Sequence, residues 1–345
     1  MSRKLWIVAA GCLALLIAGI YWVTRPEPPP PGETVTLLDP PAQYVDPGEL
    51  LHLTETLSSD ALQGRRIGTP GNEAARGFLR KRFETLNLKK IGDSYEHPFT
   101  VDPPDGAPAD APTHGTNLIG LIEGKTPGQG KMIVITAHFD HLGVIDGEIY
   151  NGADDNASGS AALVAAATWF TAHKPEHDLL FALVDGEEEG FLGSRALVQS
   201  GLVDMSRVAL DINFDMVGRS DTNELYVSGL YHTPGLKPLV DEIVSQAEVN
   251  LLTGHDRPEQ GHDDWTLQSD HAAFYEAGIP FLYFGVEDHP DYHKPTDDFG
   301  RIPPAFFVHS ADTLVMSVIE ADKKLDSLDL SASAPGAAQP SKDTP

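Results

Sequence analysis

Histidines and carboxylates directly follow several apolar stretches of this chain, and such side chains bind metal ions. The sequence places HFDH after MIVITA, DGEEE after DLLFALV, an aspartate after VALDINF and DHPDYH shortly after IPFLYFG, and GADDNASG holds an acidic pair. Imidazole nitrogen and carboxylate oxygen suit zinc, and cobalt or manganese can substitute. The candidate ligands are His138, Asp154, Glu188, Asp215 and His293.

Two ions suit this ligand set better than one. A catalytic site with a single zinc uses three protein ligands, whereas two ions about 3.5 to 4 Å apart use more and share a bridging carboxylate. Carboxylates gathered in one cleft would also repel one another unless cations lie between them. The only cysteine is Cys12, in the apolar N-terminal run, so the rest of the chain has no internal disulfide and no thiolate ligand.

Each candidate also has an ordinary structural explanation. A lone histidine or aspartate is usually a surface group. Residues 187–189 could be a solvated run of charges, and Asp155 or Asn156 could cap a helix. These explanations would have to hold independently at four strand ends and one helix start, so the sequence favours a metal site.

The elements that would position these residues alternate between strands and helices. Apolar runs typical of buried strands lie at 117–122, 132–137, 178–184, 208–214 and 279–284. Helical patterns lie at 73–86, 157–173, 188–200 and 306–325. Continuously apolar strands separated by helices predict a single α/β domain with a mixed, mainly parallel sheet covered on both faces. In such sheets functional groups gather beyond the carboxyl ends of the strands, where the candidate ligands occur.

The N-terminal part of the chain is predicted to lie outside the catalytic domain. Residues 5–23 carry no charge, and a helix of this length spans the roughly 30 Å hydrocarbon layer of a membrane. With Arg3 and Lys4 before it, the 1–25 segment is expected to be an inner-membrane anchor with the catalytic domain in the periplasm; a cleaved signal peptide and secretion are the alternative. The rest is expected to comprise a proline-rich linker at 26–43, the catalytic domain at 44–327 and a disordered tail at 328–345.

The net charge of -27 bears on partners. A surface of this sign repels nucleic acid and anionic lipid, so neither is expected to bind to the catalytic domain. The sequence leaves the oligomeric state open.

Five stretches of the chain resemble the zinc-dependent aminopeptidase family, which includes bacterial leucyl aminopeptidases, glutaminyl cyclases and transferrin-receptor-like ectodomains. They are AHFDHLG, NGADDNASG, EEEGFLGS, NFDMVGR and YHKPTDD. With LQGRRIGTPGN, TNLIGLIEG and SDHAAF, the resemblance covers about residues 50–320 in the family's order. It implies the zinc exopeptidase fold, also described as phosphorylase/hydrolase-like.

The resemblance also implies roles for individual residues. The two implied zinc ions are held by His138 with Asp215, by Glu188 with His293, and by Asp154 between them. Asp140 would orient His138, and Glu187 would be the general base that activates the water bridging the two ions. A cis peptide bond is implied before Asp155. The matching stretches also contain His141, His289 and Asp270. These residues are expected either to support the metal ligands or to be ordinary surface groups.

The leading hypothesis is therefore hydrolysis of peptides that have a free N-terminus. The choice of aminopeptidase over carboxypeptidase or dipeptidase rests on the resemblance alone. A glutaminyl cyclase with one zinc is a second hypothesis, and a receptor-like module without activity is a third. The complete set of five candidate ligands and the presence of Glu187 favour the hydrolase.

Overall fold

A nine-stranded sheet forms the centre of the part of the chain that the structure, a computed structural model, describes: residues 41–101 and 114–330. Its strands are β1 (Lys89–Lys90), β2 (Glu96–Thr100), β3 (His114–Ile122), β4 (Met132–His138), β7 (Asp178–Val184), β8 (Val208–Phe214), β9 (Glu224–Ser228), β10 (Asn250–Thr253) and β11 (Phe281–Gly285). A separate hairpin consists of β5 (Gly143–Ile145) and β6 (Glu148–Tyr150).

The middle of the sheet is parallel and its borders are mixed. The strand order is β1-β3-β7-β4-β8-β11-β9-β10, and β2 also pairs with β3. The neighbours β7, β4, β8 and β11 are parallel to one another, whereas β3 and β9 join them in the antiparallel direction. All side chains of β4 and β7 are buried, as expected for strands that are covered on both faces.

Helices cover the two faces of this sheet. They are α1 (Pro47–Leu57), α2 (Pro70–Thr85), α3 (Gly159–Ala172), α4 (Leu192–Gln199), α5 (Lys237–Gln246), α6 (His271–Glu276) and α7 (Pro304–Lys324). Met132 and Val134 of β4 pack in one cluster with Leu197 of α4 and Phe274 of α6. Successive strand side chains point to opposite faces, so the remaining β4 side chains face the other layer, where α3 packs against β4, β7 and β8.

The predicted mainly parallel α/β fold is confirmed, with shifts at the ends of some elements. Helix α2 begins at Pro70, earlier than predicted, because the Thr69 side chain accepts the N–H of Asn72 and caps it. Helix α4 begins only at Leu192, because Phe191 before it adopts a left-handed φ of 62°. The short strands β1, β2, β5, β6, β9 and β10 were not predicted.

The predicted membrane anchor lies outside the described residues, as do nearly all of the linker and the tail. Among residues 41–101 and 114–330, no helix combines the length and the apolar character needed to cross a membrane. The domain boundaries given above therefore remain predictions.

Candidate metal centre

Four of the five candidate ligands lie where the central strands end. His138 is the last residue of β4, and Asp215 directly follows β8. Glu188 lies between β7 and α4, and His293 follows β11. Because these four parallel strands are neighbours, their carboxyl ends meet at one edge of the sheet, and residues far apart in the sequence come together there.

Two groups of imidazole and carboxylate form around Asp155. In the first group, His138 Nε2 lies 3.3 Å from Asp155 Oδ1 and 3.2 Å from Asp215 Oδ1. In the second group, His293 Nε2 lies 3.1 Å from Asp155 Oδ2 and 3.3 Å from Glu188 Oε2. The two oxygens of Asp155 thus face one group each, so this carboxylate lies between them.

These distances fit zinc. Ligand atoms at zinc bonds of about 2.0–2.1 Å in a tetrahedron lie about 3.3 Å apart, close to the observed spacings. The possible ligand atoms of His138, Glu187 and Asp215 lie within 4.8 Å of one another, as do those of a second trio that includes Asp155 and Glu188. Buried carboxylates at this density need a compensating positive charge, which two dications would supply.

Asp154, the predicted bridging residue, points away from both groups. Its Oδ1 accepts the N–H of Gly218 at 2.6 Å and the hydroxyl of Ser158 at 3.1 Å, and its Oδ2 lies 3.1 Å from His289 Nε2. Asp155 therefore replaces Asp154 as the residue between the groups, a correction of one position. The cis peptide bond is likewise displaced by one: it follows Asp155 instead of preceding it.

Glu187, the predicted general base, lies beside the first group. Its Oε2 is 3.8 Å from His138 Nε2, and only 11% of its side chain is exposed. Burial raises the pKa of Glu187 well above its usual value; His138 opposes the shift, whereas Asp215 and Glu188 add to it. A carboxylate with a raised pKa accepts a proton more readily than an exposed glutamate does.

Asp140, predicted to orient His138, contacts both this histidine and the loop that carries Glu187. Its backbone carbonyl is the nearer partner of His138 Nδ1, at 3.2 Å, and its Oδ1 is 3.7 Å away. The same Oδ1 accepts the backbone N–H of Glu187 at 3.2 Å. Asp140 therefore links the ends of β4 and β7.

Two further residues form hydrogen bonds that hold Glu188 and Asp155 in place. His141 is fully buried, and its Nδ1 lies 2.6 Å from Glu188 Oε1. Asp297 accepts the backbone N–H groups of Asp154 and Asp155, both at 3.1 Å, which fixes the turn that presents Asp155. The sequence carries a signal for both residues: His141 follows His138 at a spacing of three, and Asp297 lies with His293 inside the stretch YHKPTDD. The contact of Asp297 with the turn at 154–155, more than a hundred residues away, was not predicted.

A cavity of about 270 Å³ opens onto both groups. Its walls combine the carboxylates of the centre with large apolar and aromatic side chains: Phe191, Met216, Trp265, Tyr283, Val286 and Tyr292. Trp265 is held firmly, because His255 stacks on it at a centroid distance of 3.7 Å and Tyr226 and Tyr283 meet it edge-on. The cavity therefore offers an ordered wall beside the metal ligands.

Comparison with known families agrees with this site. Residues 117–318 match the family model described as Peptidase family M28, and this match covers more than half of the chain. The chain therefore belongs to peptidase family M28, and the predicted membership in a family of zinc-dependent peptidases is confirmed.

Individual relatives are more distant. Aminopeptidase YwaD of Bacillus subtilis is 29% identical over 280 residues, a match that covers 76% of this chain but only 54% of YwaD. The structure of BSAP, a zinc aminopeptidase from Bacillus subtilis, aligns with a TM-score of 0.66 at 18% identity and covers 85% of this chain and 98% of that one. A glutaminyl cyclase from Porphyromonas gingivalis aligns with a TM-score of 0.65 at 17% identity, covering 80% and 99%. At these identities the structural matches describe the fold alone.

The two neighbouring aspartates allow a matched test of the metal centre. We expect Asp155→Asn to lower the zinc content of the purified protein strongly, because this carboxylate contacts both groups. Asp154→Asn should retain the zinc content, because Asp154 contacts neither group. Zinc per chain, measured by atomic emission after dialysis, checks this; the reverse pattern would restore Asp154 as the bridging residue.

Proposed function

We propose that the chain is a two-zinc aminopeptidase, which removes N-terminal residues from peptides. The observation that carries this proposal is the position of Asp155 between two groups of imidazole and carboxylate. A shared carboxylate is what a pair of ions about 3.5–4 Å apart uses. Membership in family M28 supports a peptidase, and the names of the relatives support an aminopeptidase.

Each part of the centre has a role in this proposal. His138 and Asp215 would hold one ion, Glu188 and His293 the other, and Asp155 both. Bound zinc would supply Lewis acidity, which polarises the scissile carbonyl and lowers the pKa of bound water to about 7. Glu187 would take the proton from the attacking water and deliver it to the nitrogen of the leaving amine.

The charge of the cavity favours a substrate with a free amino group. Glu187, Glu188, Asp215 and Asp288 line it, and among the described lining residues there is no Lys or Arg. Two zinc ions would compensate much of the charge of Glu187, Glu188 and Asp215, which leaves Asp288 to attract a substrate α-ammonium with a pKa of about 7.7–8.0. A C-terminal carboxylate would lack a Lys or Arg side chain to pair with. This argument favours an aminopeptidase over a carboxypeptidase.

A substrate panel tests the proposed specificity. We expect the purified catalytic domain to release p-nitroaniline from aminoacyl-p-nitroanilides, and to lose this activity when the amino group is acetylated or when a chelator removes zinc. Hydrolysis confined to blocked substrates would contradict the aminopeptidase and leave a metallopeptidase. Cyclisation of N-terminal glutamine by a protein with one zinc per chain would instead establish the glutaminyl cyclase alternative.

The role of Glu187 is tested by an isosteric change. Glu187→Gln should reduce kcat by roughly 10²–10⁴-fold, because the amide cannot take up the proton. The zinc content should stay unchanged, since the four ligand residues and Asp155 remain. Glu189→Gln is the matched control: this side chain pairs with Arg66 at the edge of the site, so kcat should remain near that of the unchanged protein. A Glu187→Gln protein with full activity would exclude Glu187 as the base.

The location of the protein is a separate proposal, which rests on the uncharged residues 5–23. We propose that this segment anchors the protein in the inner membrane, with the catalytic domain in the periplasm. In fractionated bacterial cells that express the full chain, we expect it in the membrane fraction and sensitive to protease added to spheroplasts. Recovery of a shortened chain in the soluble periplasm would instead establish a cleaved signal peptide.

A further inference from the structure

Arg65 is a fully buried cation close to the metal centre, and it lies outside residues 117–318 that match the family model. Its guanidinium donates to four backbone carbonyls. Nη1 bonds to Leu57 O at 2.6 Å and Asn151 O at 2.5 Å, Nη2 to Gly152 O at 3.0 Å, and Nε to Phe139 O at 2.8 Å. A buried arginine usually pairs with a carboxylate, so this pattern requires an explanation.

Three of the four carbonyls that Arg65 holds belong to two segments that supply His138 and Asp155 to the first metal group, and the fourth, Leu57 O, lies at the end of α1. Phe139 directly follows His138, and Asn151 and Gly152 begin the turn that presents Asp155. The guanidinium is planar and its donors have a fixed geometry, so bonds from Nε and both Nη atoms constrain the relative position of these segments. The same side chain thus spans the His138 loop and the Asp155 turn.

The charge of Arg65 also acts on the centre. Burial lowers its pKa to about 10, and the attraction of the carboxylates of Asp140, Asp155, Asp297 and Glu188 opposes this shift. With that pKa the guanidinium is protonated at neutral pH. Its positive charge therefore offsets part of the repulsion within the carboxylate cluster.

The local structure of the stretch LQGRRIGTPGN directs the Arg65 side chain into the interior of the domain. Gly64 adopts a left-handed φ of 67°, and a Cβ there would lie 2.3 Å from Tyr150 O, so another residue would push the segment away. Asn72 donates to Arg65 O at 3.1 Å and to Asp185 Oδ1 at 2.8 Å. These contacts hold the backbone of Arg65 against the end of β7.

We propose that Arg65 is a positioning residue of the metal centre, which holds the loop after β4 and the turn before α3 so that His138 and Asp155 face the same ion. This inference rests on the proposed two-zinc function. It assigns to the segment before the family match a direct part in building the centre.

The test replaces the planar guanidinium of Arg65, whose donors have a fixed geometry, by the lysine ammonium group, which keeps the positive charge. We expect Arg65→Lys to bind Zn²⁺ at least tenfold more weakly than the unchanged protein, measured by competition with a chromophoric chelator. The absorption spectrum of the Co²⁺-loaded protein should also change, because displaced ligands alter the geometry around the ion. Thermal unfolding of the metal-free proteins measures any general loss of stability separately.

Arg207→Lys is the matched control. Arg207 donates to the carbonyls of Gln129 and Gly130 and to Asp178 Oδ2 beside the amino ends of the strands, far from the ligands. This variant should lose stability without a change in Zn²⁺ affinity or in the Co²⁺ spectrum. An Arg65→Lys protein with unchanged affinity and spectrum would overturn the inference, as would an equal loss of affinity in Arg207→Lys.

Two further outcomes of the experiment lead to different conclusions. If Arg65→Lys does not fold, Asn72→Ala provides the second measurement: a several-fold loss of Zn²⁺ affinity supports the inference, and unchanged affinity overturns it. If the unchanged protein itself binds neither Zn²⁺ nor Co²⁺ tightly, the proposed two-zinc function is wrong and the inference is overturned with it, whereas unchanged affinity in Arg65→Lys overturns the inference alone.

Discussion

Mutual repulsion among buried carboxylates is the constraint on which this structure depends. Asp155, Glu187, Glu188 and Asp215 converge at one edge of the sheet, and at most 11% of each of these side chains is exposed. Such an arrangement persists only with positive charge among the oxygens. Two dications between the imidazoles would satisfy this requirement, and the guanidinium of Arg65 supplies a further charge from behind.

The parallel strands bring together metal ligands that lie far apart in the sequence. Strands β7, β4, β8 and β11 are neighbours with largely buried side chains, so His138 at the end of β4 and Asp215 directly after β8 have defined positions. The loops that carry Glu188 and His293 begin beside them, at the ends of β7 and β11. Loops alone would not hold ligands to the few tenths of an ångström that metal coordination demands. Backbone contacts from Asp140, Asp297 and Arg65 then join one loop to the next.

Sequence patterns predict the centre best where a residue's position follows from an element. The apolar runs that end at His138 and before Asp215 locate these ligands, because the carboxyl ends of neighbouring parallel strands meet at one edge of the sheet. The distinction between Asp154 and Asp155 follows from no such rule. Gly152 is left-handed and the backbone at Asp155 is extended within the turn, so the directions of consecutive carboxylates depend on tertiary contacts.

Arg65 shows the second limit of sequence patterns. In a polar stretch next to glycine, an arginine has the pattern of a surface residue. Its burial depends on the approach of Gly64 to Tyr150 and on carbonyls from distant loops. Long-range contacts of this kind leave no periodicity in the sequence.

The wide separation of His138 and His293 along the chain has a consequence for folding. The last ligand follows β11, so a growing chain has no complete site until the central strands have been synthesised and paired. Contacts this far apart in sequence form slowly and late, because closing the intervening loop costs entropy. In the proposed function, hydrolytic activity would therefore appear only after β11 has paired with β8, and not in a partly synthesised chain.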